Sequence, residues 1–579
     1  MGRPSWWWMM VVGTLCVVRM GLGPAMVQTW YTPDEHWQGP EIAHRLVYGY
    51  GHATWEWGEA ALRSYVHPLL IALPLYVVKE LGWDSPKVVV YTPRIVHGAC
   101  QVVTDVFTLL ILSAAAAPGG GSSSAAAPDR ESSSAVAPDR ESSSAGTERR
   151  REMGLWVVLF SWYSFYVSSR PLASVAASGP IAFVLYVWTS IHPSLWSASW
   201  EGLPEGKKTW VAWRVAGVGM GMGISVMLRP TSGVVFAALV AAGVWDVGVT
   251  RRGGVSRVWG SVLGVMGVRV LGPMALGWVG VAVGLDSWMY GAETWVCVPW
   301  NFVRFNVGSG VSEFYGTHPW HWYVTAGIPT LLGPWIIPYV LSFVVGNERC
   351  GWVGWVADVV VGVVVGVYSG LAHKEERFLY PLMPLLLIRV ARGVRVMWEG
   401  RRGGKWVVVG LAVVGVGMVG YVGGVHQRGV MDMAWEMQRM VHEEEGNVEG
   451  IFFLTPCHAT PYYAFVGSES VRLGFLDCSP PFHLEAYKER GELEFEGYVD
   501  QAERFFRDPP GFLRNRTEVE ATTLDGSDVV IAFSDVEPGL AEYLAQRGCW
   551  EMGRWFHSHV GDRRDVVGWR CPHAQRSAA

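Results

Sequence analysis

Long apolar runs alternate with short polar segments over the first three quarters of the chain. A helix needs about 20 mostly apolar residues to cross the ~30 Å hydrocarbon core of a bilayer. Runs of that length lie at 5–27, 89–113, 211–228, 231–249, 261–284, 324–346, 352–372 and 406–423, and shorter or interrupted ones at 66–80, 154–168, 172–192 and 377–393. The pattern predicts a polytopic α-helical membrane protein with about 11–12 membrane helices.

Two regions depart from this pattern. Residues 114–152 consist of Ala, Ser, Pro and charged residues, and repeat SSSAAAPDRE as SSSAVAPDRE. Such a segment has too little apolar surface to bury, which predicts a disordered loop insert. Residues 426–579, called the tail below, contain strand-like runs such as GIFFLT and DVVIAF and a helical pattern in MAWEMQRMVHEEE. They predict a mixed α/β domain that follows a membrane region at 1–425.

The composition agrees with a membrane protein. Charged residues make up 17% of the 579, against about 25% in soluble domains. The 32 Trp and 70 Gly are numerous, as expected where Trp marks membrane interfaces and Gly lets helices pack closely. The net charge of −5 gives no indication of a nucleic-acid partner.

Cysteines and a glycosylation sequon indicate a compartment for the tail. It holds Cys457, Cys478, Cys549 and Cys571, which allow three disulfide connectivities. Asn515 begins the sequon NRT. Both features favour a tail in the lumen of the secretory pathway.

Adjacent carboxylates follow the first apolar run, in WYTPDEHWQGPEIAHRLVYGYGHATWEW at 30–57. On one interpretation Asp34 and Glu35 are solvated charges that end the membrane helix. The residues that follow, however, interleave Trp, Ile and Leu with His and Arg, as in helices that lie in the membrane interface. A first loop at 28–65 with interfacial helices is therefore predicted. A carboxylate held there is a candidate general base for a lipid-borne substrate.

Further polar clusters lie beside apolar runs. AHKEERFLYP at 372–381 contains His373, Lys374 and Arg377, which suit a lipid phosphate; the alternative is a loop that anchors two helices. Arg229 in MLRPTSG is another phosphate candidate, unless it is a snorkelling arginine. YGTHPWHWY at 315–323 places two histidines among aromatic residues.

These motifs resemble a known family. They are TPDEHWQGPEIAHRLVYGYGHATWEW, LRSYVHPLL, PRIVHG, LRPTSG, NFVRFNVGSGVSEFYGTHPWHWYVTAGIPTLLG and HKEERFLYPL, in order between about residues 19 and 485. Together they are similar to the dolichyl-phosphate-mannose-dependent α-mannosyltransferases of the GT-C superfamily. LTPCHATPYYAFV and LGFLDCSPP in the tail resemble members that add the third, α1,2-linked mannose to the glycosylphosphatidylinositol (GPI) precursor. One motif departs, because SRPLASVAAS at 169–178 lacks the acidic residue of the SRTFSNSxE-like motif in relatives.

The resemblance implies a multi-pass enzyme of the endoplasmic reticulum membrane with its active site facing the lumen. Dolichyl phosphate mannose is the implied donor and a GPI-precursor glycolipid the acceptor, joined in a single inverting displacement. Asp34 is the favoured base and Glu35 the other candidate. The implied phosphate-binding residues are His373, Lys374, Arg377 and Arg229, and the implied substrate-binding residues are His36, Arg63, Tyr65, His318, Trp320 and His321. No cofactor and no divalent ion are expected, since no metal motif is visible.

Two kinds of alternative remain open at this stage. A related enzyme would add the fourth GPI mannose, or a mannose of the lipid-linked oligosaccharide of N-glycosylation. A lipid transporter or scramblase would also explain the apolar composition and the charges beside it. Transporters often show internal repeats with interrupted helices in corresponding halves, and no convincing repeat is visible in this sequence.

Overall fold

A computed structural model describes most of the chain. The described residues are 5–58, 60–115, 151–191, 193–196, 198–247, 258–308, 316–345, 351–400, 403–443, 448–480 and 498–572. The predicted disordered insert falls mostly at 116–150, outside the described residues, while 114–115 and 151–152 belong to helices on either side of it.

Helices form most of the described chain before the tail. Those long and apolar enough to cross a membrane are Trp6–Met26, Pro86–Ala115, Ala173–Ser190, Glu205–Leu228, Val262–Met289, Tyr323–Val344, Gly351–Ser369 and Gly404–Gly424. Other helices, which are shorter or less apolar, are Val66–Glu80, 151–159, Trp162–Ser168, Ser232–Trp245 and Met383–Gly400. The prediction of a polytopic α-helical membrane protein is confirmed.

Helix lengths differ from the apolar runs at two places. In the described part of the run at 231–249 the α-helix is Ser232–Trp245, whereas the described part of the interrupted run at 172–192 contains the full-length helix Ala173–Ser190. Pro180 lies inside the second helix. A proline is tolerated there because neighbouring helices enclose that helix, in which residues such as Leu185 and Trp188 are fully buried.

The tail contains a five-stranded mixed sheet. Its strands are β1 (Gly450–Leu454), β2 (Arg472–Phe475), β3 (Val529–Phe533), β4 (Trp550–Phe556) and β5 (Asp565–Arg570), in the spatial order β2-β1-β3-β5-β4. β1 pairs in parallel with β2 and β3, and β5 pairs antiparallel with β3 and β4. Every residue of β1 and β3 is buried, which explains their continuous apolar sequences.

Helices pack on both faces of this sheet. Alternate residues of β1 point to opposite faces, so that Ile451 and Phe453 contribute to one apolar core and Phe452 and Leu454 to the other. The helix Gly429–Glu443 covers the first face. The helices Gln501–Arg507, Pro509–Arg514 and Glu537–Gln546 supply residues to the second. This is the mixed α/β fold predicted for the tail.

Segments that are distant in sequence meet at one end of the helical bundle. The first loop hydrogen-bonds the end of the helix Gly404–Gly424, where the Gln28 N–H donates to the Gly423 carbonyl at 2.7 Å. The His318 N–H donates to the Ala372 carbonyl at 3.0 Å, which joins two further connections. Most of the candidate side chains of the site come from the first loop and from the connection that contains Ala372.

Candidate active site

The helix Asp34–Trp37, called the site helix below, carries the two adjacent carboxylates. It begins after Pro33, whose φ of −51° already suits a helix. Two acidic residues in the first turn also interact favourably with the positive end of the helix dipole. Beyond the site helix, a Cβ at Gly39 would lie 2.7 Å from His67 Cε1, so only glycine fits where the chain turns into the helix Pro40–Tyr48.

Glu35 is sealed inside the protein with a cationic partner. Its Oε2 lies 2.6 Å from Arg170 Nη1, and the side chains are 1% and 0% exposed. Arg170 also donates to the Thr29 carbonyl at 2.8 Å and to Thr29 Oγ1 at 2.9 Å. Burial alone raises the pKa of Glu35, but the charges of Arg170, His36 and Arg94 outweigh burial and lower this pKa. Glu35, Arg170, Thr29 and His36 are called the closed cluster.

Asp34 lies in a more open setting. Its side chain is 27% exposed, and its Oδ2 lies 2.7 Å from Arg377 Nη1. The same guanidinium donates from Nε and Nη2 to the two oxygens of Glu375, the Nη2 contact measuring 2.8 Å. His373 Nε2 lies 3.0 Å from Glu375 Oε1. Asp34, Arg377, Glu375 and His373 are called the open cluster.

Opposite charges stabilise the ionised forms within the open cluster. Burial alone lowers the pKa of Arg377, but the charges of Asp34 and Glu375 raise this pKa well above its usual value. Burial alone raises the pKa of Glu375, but Arg377 and His373 lower this pKa. The hydrogen bond that His373 donates to Glu375 raises the pKa of His373. The charges of this cluster are therefore already paired before any substrate is present.

Lys374 is turned inward. It is 3% exposed, and its ammonium group donates to the carbonyls of His318, at 2.8 Å, Leu371 and Ala372. An ammonium has three protons to donate, so these carbonyls can use all of them. Lys374 thus fixes the backbone of the connection at 371–378 against the connection at 316–322.

Arg229 has donors to spare. Its Nε donates to Thr231 Oγ1 at 2.9 Å and its guanidinium carbon lies 4.8 Å from the centre of the Phe378 ring. Its two terminal nitrogens form no hydrogen bond or ion pair with any residue that the structure describes. The charge of Arg377 acts on Arg229, which places Arg229 beside the open cluster.

Arg63 is also close enough to Asp34 to feel its charge. Its Nη2 contacts Glu56 Oε1 at 2.6 Å. Burial alone lowers the pKa of Arg63, but Glu56 and Asp34 raise it. Tyr65, two residues on, packs its ring against Trp57 at 4.9 Å between ring centroids, and its N–H donates to Asp286 Oδ1 at 3.0 Å.

The remaining predicted substrate residues have no contact with Asp34 among the interactions described for the structure. His36 faces inward, into a cavity of about 30 Å³ that Glu41 and Arg94 also line, and its Nε2 is buried without a hydrogen-bond partner among the described residues. Burial lowers the pKa of His36 to about 4. His318 stacks on Trp322 at 4.7 Å, while Trp320 is 74% exposed and His321 is exposed near Thr325.

In the tail, Asn515 is exposed at the start of the helix Arg516–Glu520, where its Oδ1 accepts a hydrogen bond from the Thr517 N–H at 3.2 Å. The sequon is therefore on the surface. The tail cysteines form the disulfides Cys457–Cys478 and Cys549–Cys571, one of the three connectivities left open by the sequence.

One group of side chains in the described residues has the composition of a metal site. Ligand atoms of Cys457, His458 and Cys478 lie within 4.8 Å of one another. Metal binding needs thiolates, and these two cysteines are joined in a disulfide. The group does not contact the open cluster in any described interaction.

Sequence reasoning missed Arg170 as a site residue. Arg170 lies in SRPLASVAAS, between two apolar helices, and an arginine in such a place is a functional candidate by default. Its partner Glu35 is 135 residues away. The motif at 169–178 has no acidic residue. Its last five residues, SVAAS at 174–178, are small and buried, and Ser178 shares a hydrogen bond with Thr104 at 2.9 Å.

Comparison with known proteins places this arrangement in a family. A sequence model of the Alg9-like mannosyltransferase family matches residues 10–467. The chain is 28% identical to GPI alpha-1,2-mannosyltransferase 3 of Danio rerio, over 95% of this chain and 87% of the relative. It is 27% identical to mannosyltransferase APTG1 of Arabidopsis thaliana, over 95% of this chain and 89% of the relative.

The fold also resembles a solved structure. The crystal structure of ArnT from Cupriavidus metallidurans bound to undecaprenyl phosphate matches 97% of this chain and 98% of that chain, with a TM-score of 0.50 and 12% identity. At that identity the likeness concerns the fold alone, which is of the GT-C type. Since the family model covers residues 10–467, which include the first loop, both charge clusters and nearly all of the helical bundle, the chain belongs to the Alg9-like mannosyltransferase family.

Proposed function

We propose that this protein transfers the third mannose from dolichyl phosphate mannose to the GPI-anchor precursor, at the lumenal face of the endoplasmic reticulum membrane. The acceptor and the α1,2 linkage follow from the relatives named GPI alpha-1,2-mannosyltransferase 3, which align with nearly all of this chain. The tail disulfides support the lumenal side, since disulfides persist in oxidising compartments.

One observation carries the proposed chemistry. Of two adjacent carboxylates, Glu35 is sealed against Arg170, and only Asp34 is partly exposed, where it pairs with Arg377 in the open cluster. In an inverting transfer the acceptor 2-hydroxyl oxygen attacks C1 of the mannose. The bond from C1 to the phosphate oxygen breaks with its electron pair, dolichyl phosphate leaves, and the hydroxyl proton passes to the base. Asp34 is the group placed to accept it.

The cations divide into two roles. Arg229 has terminal nitrogens without partners among the described residues, so it is the first candidate to bind the donor phosphate. His373 is the second, since both side chains contact the Phe378 ring, at 4.8 and 5.8 Å from its centre. Arg377 and Lys374 already bond carboxylates and carbonyls. For them to bind phosphate they must exchange those partners; until then, Arg377 orients Asp34 and Lys374 holds the connection at 371–378. Among the substrate candidates, Arg63, Tyr65, His318, Trp320 and His321 remain the proposed contacts of the sugar and lipid headgroups.

Transfer by the purified protein tests the proposal. The full-length chain in liposomes receives labelled dolichyl phosphate mannose and a synthetic GPI glycolipid with two mannoses. We expect one labelled mannose in the product, removable by an α1,2-specific mannosidase. Glycolipids with one or three mannoses serve as control acceptors. Preferred transfer to either control would assign the protein another step, and movement of labelled lipid between leaflets without transfer would favour a scramblase.

A further inference from the structure

The site helix is attached to the tail through its last residue. Trp37 is 2% exposed and belongs to the apolar core on one face of the tail sheet, together with Phe453 and Ile531. Its indole Nε1 donates to the Thr460 carbonyl at 2.8 Å, and its ring stacks on Tyr462 at 4.6 Å between centroids. A residue of the first loop is therefore a core residue of a separate part of the chain.

A second attachment follows one turn later. Glu41, in the helix Pro40–Tyr48, is 1% exposed. Its Oε2 accepts a hydrogen bond from the Ala464 N–H at 2.8 Å, and its Oε1 accepts one from the His52 N–H at 2.9 Å. The carboxylate thereby joins the tail to both arms of the first loop.

The tail segment that receives these residues is held at both ends. Residues 455–475, called the docking segment, run from the end of β1 to the end of β2, and these two strands pair in parallel. The disulfide Cys457–Cys478 closes the same stretch. His458 and Phe475 of this segment also contact the Trp37 ring, at 4.4 and 5.2 Å between centroids. A segment fixed in this way can define the position of what it binds.

The two ends of the site helix thus have different anchors. Asp34 contacts Arg377 from the helical bundle, and Trp37, one turn along, is fixed by the docking segment. We infer that the docking segment positions Asp34 for proton transfer, and that Trp37 is a positioning residue acting through Asp34. This inference rests on the proposed function, in which Asp34 is the base.

The size of the effect follows from the geometry that transfer requires. Displacing a reacting group by about 1 Å can cost roughly 10²-fold in rate. The donor phosphate lies, on our proposal, against Arg229, which has no described contact with the docking segment. Undocking the site helix should therefore lower kcat and leave KM for the donor nearly unchanged.

The test uses the full-length protein with Trp37→Ala, and with Trp37→Phe, which keeps an aromatic ring but loses the bond to Thr460. For Trp37→Ala we expect kcat, per folded protein, to fall about 10- to 100-fold, with KM for dolichyl phosphate mannose within about threefold. Trp37→Phe should lie between Trp37→Ala and the wild type. Trp569→Ala is the matched control: Trp569 is also a buried tail tryptophan, 5% exposed, on the opposite face of the sheet.

A double-mutant cycle separates positioning from general destabilisation. If Trp37 acts through Asp34, adding Trp37→Ala to Asp34→Asn should cost little beyond Asp34→Asn alone, since coupled residues are not additive. Full additivity, or a kcat loss equal to that of Trp569→Ala, would overturn the inference.

A second readout does not depend on transfer. Arg45 is exposed on the helix Pro40–Tyr48, so trypsin should cleave after it faster in Trp37→Ala than in the wild type or in Trp569→Ala. Unchanged cleavage would show that Trp37 does not hold the first loop. A wild-type protein that transfers no mannose but shows the expected cleavage pattern would contradict the proposed function alone.

Discussion

The closed and open clusters begin at neighbouring residues, yet they differ in almost every physical respect. Glu35 is fully buried against Arg170, which also donates to the carbonyl and hydroxyl of Thr29, while Asp34 is partly exposed and shares Arg377 with a second carboxylate. Successive side chains on a helix point about 100° apart. One of the pair therefore faces the packed bundle and the other faces its open end.

The difference assigns separate tasks to the two acids. A buried ion pair whose members also satisfy other hydrogen bonds is costly to break, because either member alone is an uncompensated charge. Glu35 is thus suited to hold the first loop on the connection at 169–172. A base must be accessible to its substrate. Of the two acids, only Asp34 is partly exposed, and it also contacts a cation, Arg377.

The largest expected effect is on turnover at Asp34. Asp34→Asn keeps the shape of the side chain but removes its basicity, and general-base catalysis contributes typically about 10²–10⁴-fold. We expect kcat to fall by that factor while the yield of folded protein and the KM for donor stay near wild type. Glu35→Gln is the comparison: this change should mainly lower the yield of folded protein rather than kcat. A Glu35→Gln protein that is folded but inactive, beside an active Asp34→Asn protein, would reverse the two roles.

The next effect is on stability, at Arg170. Arg170→Ala leaves the Glu35 carboxylate buried without its cation, which costs about 3–5 kcal/mol. We expect a large drop in the thermal midpoint of the detergent-solubilised protein. Adding Glu35→Gln should recover part of this loss, because it removes the unpaired charge.

An exposed ion pair provides the control for Arg170. Arg439 contacts Glu436 at 2.5 Å on the tail helix Gly429–Glu443, with a side chain that is 48% exposed. Exposed pairs of this kind contribute little to stability, so Arg439→Ala should barely shift the midpoint. Equal shifts for the two arginine variants would mean that the closed cluster is not a structural anchor.

A smaller effect is expected at the phosphate side of the open cluster. Arg229→Ala removes a charge-assisted hydrogen bond, worth about 1.5–3 kcal/mol, so KM for dolichyl phosphate mannose should rise roughly tenfold or more. KM for the glycolipid acceptor should change much less. Arg214 lies on the same helix, Glu205–Leu228, and donates to Ser190 Oγ at 2.7 Å. Arg214→Ala should leave both constants unchanged, and a donor KM unaffected by Arg229→Ala would exclude Arg229 from phosphate binding.

The sequence was sufficient for the membrane architecture and for the dipeptide that begins both clusters. Apolar runs of membrane length predict helices because the bilayer requires them, and charge beside such runs is costly enough to indicate function. The side-chain partners of these residues could not be predicted from the sequence. Glu35 and Arg170 are 135 positions apart, and no sequence spacing indicates that they pair. Likewise, no periodicity shows that Lys374 points at carbonyls rather than at solvent.

In the tail, too, the strands could be predicted from the sequence and the long-range contacts could not. Strands β1 and β3 were visible as apolar runs, and the choice among three disulfide connectivities was not, because it depends on which ends of the sheet meet. The sequence pattern at 30–57 predicts that Trp37 belongs to an interfacial helix of the first loop. In the structure it completes the apolar core of the tail, a contact that requires the two regions to be folded together.

The smallest effect concerns pH and belongs to the closed cluster. Burial lowers the pKa of His36 from 6.5 to about 4. The unfolded chain therefore binds a proton at His36 between about pH 6.5 and 4 that the folded protein does not bind, so stability falls as the pH falls through this window. At pH 5 the loss is about 1–2 kcal/mol.

His36→Gln, which does not titrate, isolates this contribution. His44, His458 and His557 also have pKa values lowered by burial, so the wild-type protein should lose stability on acidification for several reasons at once. The thermal midpoint measured from pH 7.5 to 5 should fall less steeply in His36→Gln than in the wild type. His426, whose Nδ1 is also buried without a partner among the described residues, offers a matched His→Gln control outside the closed cluster. Parallel curves for wild type and His36→Gln would mean that His36 is hydrated, and that the closed cluster is open to water on that side.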